Sequence, residues 1–376
     1  MKALFYSING IGLGHLSRTS AIAKQMIDDG GADIKFFTKS DFNLFLEDMG
    51  VPFVKSPPVG IGDDSEAFIH LVNEYLPKVI IYDNFFPHGG LLYANSRGIR
   101  NVLILRNKKK GFIEKELSDY GDVYAKFDLF VVTEDGLKDR LPESVLERSI
   151  FTGPIIRESV RDNNVAKRYG IKEDDFVVCF TCGGGSNSKR LPVFNAVKGA
   201  WEELKGKIDG LKFIVLRGPF SGDFPESEGI IVKEFEKDMT GLLAHCDIVI
   251  SHAGYNTVNE IILSKKPSIL IPVDSKDDCQ LDRAMNVEKT GIGWCLKEPD
   301  SKHIASLVKE FHDKPRVREG IRKAFESINV VPGNKEVSDA ILRLLKEERD
   351  VLKLGKSCNN NCVCCEELGN KIGIEK

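Results

Sequence analysis

The sequence predicts an α/β protein of two halves, each a parallel sheet covered by helices. Short β-branched and aromatic runs alternate with amphipathic stretches, the pattern of parallel strands joined by crossover helices. The chain of 376 residues is long enough for two domains. Each half also begins with a strand that enters a glycine cluster and then a helix.

Five strands are predicted in each half. Those of the first half are residues 2–7, 33–38, 79–82, 102–105 and 128–133. Those of the second half are residues 175–181, 211–216, 230–232, 247–251 and 268–272. Residues 151–164 lack an apolar period and contain Gly153-Pro154 and a polar run, so we predict the interdomain linker there.

Composition narrows the class of protein. The formal net charge of −3 lacks the basic excess of a nucleic-acid-binding protein, so we expect no nucleic-acid partner. No apolar run approaches the roughly 20 residues of a membrane-spanning helix, and Gly10 comes too early for a signal-peptide core. Nine cysteines, four of them in the last 19 residues, do not form the pattern of a secreted disulfide framework. We therefore expect a cytoplasmic protein.

The first glycine cluster contains Gly10, Gly12 and Gly14 and is followed by His15. Such a turn leaves the first N–H groups of the helix open to an anion. The third glycine follows the second by two residues rather than three, which excludes the dinucleotide-binding fingerprint. A tight turn between strand and helix is the alternative interpretation.

The second cluster, Gly183-Gly184-Gly185-Ser186, directly follows a predicted strand. Consecutive glycines with a serine form a backbone nest suited to a diphosphate. The cluster lacks the Gly-Lys-Ser/Thr ending of a P-loop. Cys179 and Cys182 have C-x-x-C spacing, but their odd separation within a strand favours buried side chains over a redox pair.

The third motif runs from His252 to Glu260 and again joins a strand, a glycine and a helix. Asn256 and Glu260 are four residues apart and share one helical face. The carboxylate of Glu260 suits both hydroxyls of a ribose, although an exposed helical acid is the simpler interpretation. Residues 272–280 follow the next strand and carry short acids and an amide that suit sugar hydroxyls.

Taken in order, these motifs resemble those of GT-B glycosyltransferases, most closely the MurG-like group of glycosyltransferase family 28. The resemblance covers about residues 1–345 and implies two Rossmann-like domains that face each other across a cleft. It divides the chain into an acceptor domain (1–153), a nucleotide-sugar domain (154–335), a helix that packs back (336–354) and a cysteine-rich tail (355–376).

Carried over position by position, the resemblance assigns three groups of residues. His15 is the candidate general base, and Asp83 is either a rival base or the residue that orients His15. The implied donor-binding residues are Arg157, Gly184, Gly185, Ser186, Gly254, Asn256, Thr257, Glu260, Asp277 and Gln280. The glycine loop before the base consists of Gly10, Gly12 and Gly14. The chain departs from MurG where Cys279 precedes Gln280 in place of a Gln-Gln pair, which leaves the donor sugar open.

The implied activity is an inverting hexosyl transfer from a nucleotide sugar, usually a UDP-sugar, to an acceptor hydroxyl. It requires no cofactor, and the chain lacks the metal-binding Asp-x-Asp of the other main glycosyltransferase fold. The acceptor is unknown. The four cations among residues 106–110 suit either a solvated loop or contact with an anionic membrane and a lipid-linked acceptor. In the second case the protein is peripheral on the inner face of the membrane.

Three alternatives stay open at this stage. The same scaffold serves nucleotide-sugar hydrolases and epimerases. A catalytically silent sugar-nucleotide sensor would bind the donor without turnover. A metal- or iron–sulfur-binding module is the third alternative, and it rests on the tail.

The tail contains Cys358, Cys362, Cys364 and Cys365. Three of these have the C-x3-C-x2-C spacing that resembles the cluster loop of radical S-adenosylmethionine enzymes. Only 11 residues follow, so we expect no complete radical enzyme in this chain. Zinc or iron–sulfur ligation and a reactive tail without metal are both compatible with this spacing.

Overall fold

The computed structural model describes residues 1–8, 13–60, 64–106, 118, 123–157, 164–184, 190–225, 227–274 and 278–347. These residues form two parallel sheets. The first has the strand order β3-β2-β1-β4-β5-β6-β7 and the second β10-β9-β8-β11-β12-β13. In each sheet the chain reverses its direction of winding at the first strand, beside which ligands bind in open α/β folds.

The first sheet contains seven strands: β1 Lys2–Ser7, β2 Asp33–Thr38, β3 Phe53–Lys55, β4 Val79–Asp83, β5 Arg100–Leu105, β6 Leu129–Val132 and β7 Ser149–Phe151. The second contains six: β8 Phe176–Thr181, β9 Leu211–Leu216, β10 Ile230–Lys233, β11 Ile248–Ser251, β12 Ser268–Leu270 and β13 Gly293–Cys295. All ten predicted strands are present. The three that the sequence did not reveal, β3, β7 and β13, are three-residue edge strands, too short to show a period.

Helices cover both sheets. In the first half they are α1 Gly14–Gly30, α2 Leu44–Asp48, α3 Ser65–Tyr75, α4 His88–Ser96 and α5 Glu143–Leu146, with a 3₁₀ turn at Asp135–Arg140. In the second half they are α6 Val165–Arg168, α7 Arg190–Leu204, α8 Met239–Ala244, α9 Tyr255–Leu263, α10 Gln280–Lys289, α11 Ser301–Asp313, α12 Pro315–Glu326 and α13 Asn334–Leu344. Helix α1 ends at Gly30, and Gly31 follows it with a φ of 57°.

The central strands are buried on both faces because helices pack on each side. All five residues of β4 are buried, and the two faces of the first sheet belong to separate apolar clusters. The second sheet and its helices share one core. In the described part of the chain, no helix is both long and apolar enough to cross a membrane.

The last described helix returns to the first half of the chain. Val337 and Ile341 of α13 lie in the apolar cluster that contains the buried face of α1, and Ser338 donates a hydrogen bond to Asp29 at 2.9 Å. The side chain of Asn334 exchanges two hydrogen bonds with the backbone of Ile156. Helix α13 therefore packs on the first domain while it follows the second in sequence.

The predicted linker differs from the structure at its start. Phe151 pairs with Val132 as the last residue of β7, so the first sheet extends to this residue. Between Phe151 and Val165, the described residues 152–157 and 164 contain no regular element. The edge strand was hidden because it is only three residues long and Gly153-Pro154 follows it after one residue.

Candidate active site

The cleft between the sheets is lined on its first side by His15 and Asp83. His15 is the second residue of α1, and Asp83 is the last residue of β4. Asp83 is fully buried, whereas 17% of the His15 side chain is exposed. His15 Nδ1 lies 3.3 Å from Asp83 Oδ2, and the imidazole packs near the ring of Phe85. The structure thus brings together the two predicted catalytic residues.

Arg18 is a second partner of Asp83, besides His15. This arginine lies one turn after His15 on α1 and is fully buried. Its Nη2 donates hydrogen bonds of 2.7 Å to both carboxylate oxygens of Asp83. Burial by itself would raise the pKa of Asp83, but Arg18 and His15 outweigh burial and lower this pKa to about 2. Asp83 is therefore an anion across the physiological range.

Glu260 lies on the second side of the cleft, on helix α9. Only 6% of the residue is exposed, which excludes the simpler interpretation of a solvated helical acid. Burial raises the pKa of Glu260, and Arg157, whose Nη2 lies 4.0 Å from Oε1, offsets only part of this effect. The carboxylate is thus withdrawn from water without a close cationic partner among the contacts described.

Arg157 joins the two domains beside Glu260. Its Nε donates a hydrogen bond to Ser17 Oγ of helix α1 at 3.2 Å, and its Nη1 donates to the carbonyl of Lys237 at 3.0 Å. The guanidinium also lies over the ring of Phe45, 4.1 Å from its centroid. Burial lowers the pKa of Arg157. Its predicted position near the donor is consistent with these contacts, but its charge is shared among several groups.

The glycines of the predicted nest are described only in part. Gly183 has a φ of 65°, a conformation that favours glycine, and it faces the hydroxyl of Thr257. Gly184 follows it and accepts a hydrogen bond from the N–H of Phe220. Gly254 directly precedes α9. Gly185, Ser186, Gly10 and Gly12 lie outside the described residues, whereas Gly14 is the first residue of α1.

The side chain of Asn256 is bound by groups of the first domain. Its Nδ2 donates a hydrogen bond to the carbonyl of Gly14 at 3.0 Å, and its Oδ1 accepts one from Arg18 Nη1 at 3.3 Å. Both polar atoms of the amide therefore bind the first domain. The neighbouring Tyr255 donates its hydroxyl proton to the Thr133 carbonyl at 3.3 Å.

A second cross-domain cluster surrounds Asp278, beside the predicted sugar loop. Asp278 Oδ1 accepts hydrogen bonds from Arg106 at 3.0 Å and from Arg283 at 2.9 Å. Burial opposes ionisation of Asp278, but the two arginines outweigh it and lower the pKa. Asp277 itself lies outside the described residues. Gln280 accepts a hydrogen bond from the N–H of Val273, so its carbonyl is engaged by the protein.

Arg106 corrects one part of the sequence interpretation. It is neither part of a solvated loop nor available to a membrane, because its guanidinium points inward to Asp278 and over the ring of Tyr255. The other three cations of that stretch, Lys108, Lys109 and Lys110, lie outside the described residues.

The described cysteines give no sign of redox or metal chemistry. The side chains of Cys179, Cys182 and Cys246 are buried, and contact with Cys246 together with burial raises the pKa of Cys179. Over the described part of the chain, no group of three or more His, Cys, Asp or Glu is arranged to hold a metal. The four tail cysteines lie outside that part.

Sequence reasoning did not identify Arg18, Arg106, Asp278 or Arg283 as site residues. A signal for Arg18 exists in retrospect: it lies within a run of apolar and small residues on α1, three positions after His15. The other three are recognisable only once the two domains are brought together.

Comparison with known proteins identifies a family model and several relatives that match part of the chain. Residues 177–328 match the model of the glycosyltransferase family 28 C-terminal domain. Two relatives are UDP-N-acetylglucosamine–N-acetylmuramyl-(pentapeptide) pyrophosphoryl-undecaprenol N-acetylglucosamine transferases. That of Rickettsia bellii is 27% identical over 219 residues, 55% of this chain and 59% of the relative. That of Clostridium kluyveri is 32% identical over 168 residues, 42% of this chain and 47% of the relative. The chain thus matches less than two thirds of the length of either.

Solved structures with the same architecture are glycosyltransferases. The spinosyn forosaminyltransferase SpnP has a TM-score of 0.65 at 15% identity and covers 92% of this chain and 100% of its own. The calicheamicin glycosyltransferase CalG4 has a TM-score of 0.62 at 17% identity and covers 92% and 98%. At this identity the likeness concerns the fold. The predicted GT-B fold, with two Rossmann-like domains across a cleft, is confirmed.

Proposed function

We propose that this protein is an inverting glycosyltransferase that moves a sugar from a UDP-sugar to an acceptor hydroxyl. One observation carries the proposal: an ionised Asp83 beside His15 in the first domain and a buried Glu260 in the second lie on parts of the chain that the contact between Arg18 and Asn256 brings together. The names of the relatives support the same class of reaction, since each is a UDP-N-acetylglucosamine-dependent transferase.

In this proposal His15 removes the proton of the acceptor hydroxyl. Its Nδ1 faces Asp83 at 3.3 Å, so Nε2 is the nitrogen directed to the acceptor. Asp83 orients the imidazole and stabilises its charged form after proton transfer. We assign it the orienting role rather than that of the base, because a carboxylate with a pKa of about 2 that is held by Arg18 is a poor proton acceptor.

The donor lies on the second domain. The buried carboxylate of Glu260 accepts the two ribose hydroxyls, and the N–H groups of the glycine turn at Gly183 and Gly184 bind the diphosphate. The amino-terminal end of α9 stabilises the negative charge that develops on the departing UDP. These groups perform the transfer without a cofactor. A zinc ion or iron–sulfur cluster bound by the tail cysteines would serve a purpose other than the transfer.

For the acceptor we propose a lipid-linked saccharide. The names of the relatives include a pyrophosphoryl-undecaprenol acceptor, and an enzyme acting on such a molecule works at the membrane surface from the cytoplasmic side. Sedimentation with anionic vesicles tests this step. A variant with Lys108, Lys109 and Lys110 replaced by Ala that binds as well as the parent would contradict a role for these cations.

The donor site is tested by thermal unfolding with UDP-, GDP-, CMP- and dTDP-sugars. A ligand at 100 times its dissociation constant stabilises the folded state by about 2.7 kcal/mol, so a UDP-sugar should raise the melting temperature clearly. Glu260→Ala should remove most of this shift. The matched control is Glu203→Ala, an exposed helical acid paired only with Lys207 among its described ion pairs.

Absence of any shift in the parent contradicts the proposed function. A measurement of UDP release separates transfer from hydrolysis, because release that does not depend on an added acceptor identifies a nucleotide-sugar hydrolase. Binding without any turnover identifies the sensor alternative.

A further inference from the structure

Asn256 connects the two sides of the cleft through one amide group. Its Nδ2 binds the carbonyl of Gly14, and its Oδ1 binds Arg18. Gly14 and Arg18 lie in the first two turns of α1, on either side of His15. The start of α9 in the second domain is therefore hydrogen-bonded to the start of α1, which carries the predicted base.

Arg18 links Asn256 to Asp83 through the two ends of its guanidinium group. Its Nη2 donates to both oxygens of Asp83, while its Nη1 is the group that reaches Asn256. The guanidinium is planar and rigid, so holding one edge by Asn256 fixes the direction of the other edge. The ring of Tyr255, also from the second domain, lies 5.7 Å from the guanidinium. Arg18 is thus held by second-domain groups while it holds a first-domain carboxylate.

We propose that Arg18 is a positioning residue that fixes Asp83 against His15, and that Asn256 of the second domain keeps Arg18 in this position. The proposal rests on the proposed role of His15 as base. It changes the role of Asn256 from a donor-binding residue to a cross-domain support of the catalytic pair.

The arrangement makes the geometry of the base depend on the second domain. Within the first domain alone, Arg18 has Asp83 as its hydrogen-bond partner, and rotation about that single contact would turn the carboxylate away from His15. With Asn256 in place, the guanidinium is bound at two edges. A general base contributes roughly 10²–10⁴-fold to a rate when its position is correct, so a loosened pair should lower turnover.

The first measurement needs no nucleotide. Diethyl pyrocarbonate is allowed to react with the full-length parent, Asn256→Ala and Arg18→Lys, and the rate at each histidine is followed by mass spectrometry. Loss of the support should raise the rate at His15 several-fold in both variants. The internal reference is His312 on α11, whose Nδ1 lies 2.7 Å from Asp313 Oδ1. This histidine is far along the chain from His15 and from Asn256.

Asn259→Ala is the matched control. Asn259 lies one turn further along α9, and its Nδ2 donates to the carbonyl of Tyr255 within the same helix, so its loss breaks no cross-domain bond that the structure describes. We expect His15 to react in this variant as it does in the parent. Arg18→Lys keeps a positive charge beside Asp83, which preserves folding while it removes the two-edged geometry.

The second measurement separates positioning from donor binding. For Asn256→Ala we expect a dissociation constant for UDP within about two-fold of the parent. With a lipid-linked acceptor present, we expect the rate of UDP release from UDP-N-acetylglucosamine to fall by about ten-fold or more. The double variant Arg18→Lys/Asn256→Ala should lose no more than the worse single variant, because both changes break one connection.

Several results would overturn the inference. An unchanged rate at His15 in both variants shows that the bridge does not fix the pair. Loss of UDP binding in Asn256→Ala to the extent seen in Glu260→Ala shows that Asn256 binds the nucleotide. If the parent binds no UDP, the proposed function fails, whereas the reactivity of His15 still decides whether Arg18 and Asn256 position it.

Discussion

Two buried carboxylates, Asp83 in the first domain and Glu260 in the second, each lie near an arginine, and they differ in ionisation. The pKa of Asp83 is lowered to about 2, although burial opposes this, because Arg18 lies 2.7 Å away. The pKa of Glu260 is raised by burial, because Arg157 is 4.0 Å away and offsets it only partly. Proximity to an arginine is therefore not sufficient to fix the charge of a buried acid.

The difference lies in what else each arginine binds. Arg18 directs an entire Nη group to Asp83, with Asn256 on its other edge. Arg157 is divided among Ser17, the carbonyl of Lys237 and the ring of Phe45. Asp83 is consequently an anion fixed by the protein, whereas Glu260 has oxygens that a ligand can occupy. This is the distinction expected between an orienting residue and a binding residue.

The largest effect should follow from removing Arg18. In Arg18→Met the charge of Asp83 stays buried without its partner, which costs about 3–5 kcal/mol of unfolding free energy. Arg157→Met should cost less, about 1–2 kcal/mol, because Glu260 can bind a proton in place of its distant partner. Urea denaturation at neutral pH measures both.

The double variant Arg18→Met/Asp83→Leu sharpens this test. Replacing both members of a buried pair by apolar side chains leaves no uncompensated charge, so most of the lost stability should return. Equal losses for the two single arginine variants would contradict the comparison between the two carboxylates.

The next effect is a difference in response to acid. The unfolded value for Asp83 is 3.8 and its folded pKa is about 2, so it contributes about 2 kcal/mol of stability above pH 4. That contribution is lost as the pH falls from about 4 to 2. Glu260 behaves in the opposite sense, because its raised pKa means that it binds a proton at a higher pH. Protonation removes the cost of burying its charge. It also removes the anionic oxygens that accept the ribose hydroxyls.

We therefore expect UDP binding to weaken on acidification before the stability supplied by Asp83 is lost. Titration calorimetry with UDP and urea denaturation, each at a series of pH values, measure the two transitions. In Glu260→Gln the dependence of UDP binding on pH should be reduced in this range. A parent protein in which unfolding precedes the loss of binding would be inconsistent with the two pKa shifts.

The smallest effect is expected for Arg157→Lys. This change keeps a positive charge near Glu260 but removes the flat guanidinium that lies over the Phe45 ring, which is worth about 0.5–1 kcal/mol. Urea denaturation should detect this modest loss, and binding of UDP should change little. A loss as large as that of Arg18→Met would show that Arg157 supports the domain interface more than the comparison indicates.

Much of the fold followed from local patterns in the sequence. The buried strands β1, β2, β8 and β9 have continuous apolar or β-branched runs, which are typical of strands covered on both faces. Their bounds were predicted to within a residue. The edge strands β3, β7 and β13 were not predicted. Three-residue segments at an edge are specified by the neighbouring strand rather than by a period of their own.

The site was predictable where it follows a chain motif. His15, Asp83 and Glu260 were recognisable as candidates because their motifs follow strands and resemble those of a known family. The charge of each acid was not, because it depends on arginines 65 and 103 positions away along the chain. No spacing in the sequence reports how far Arg157 Nη2 lies from Glu260.

The sequence by itself determined the two parallel sheets, their glycine turns and the residue types at the cleft, since these depend on short-range backbone and burial preferences. The tertiary structure alone decided which charges are satisfied. Arg18 joins Asp83 to Asn256, and Arg106 joins the first domain to Asp278, only because the two domains meet. Electrostatic effects of this kind depend on distances of a few ångströms between groups remote in sequence, and those distances are set by packing.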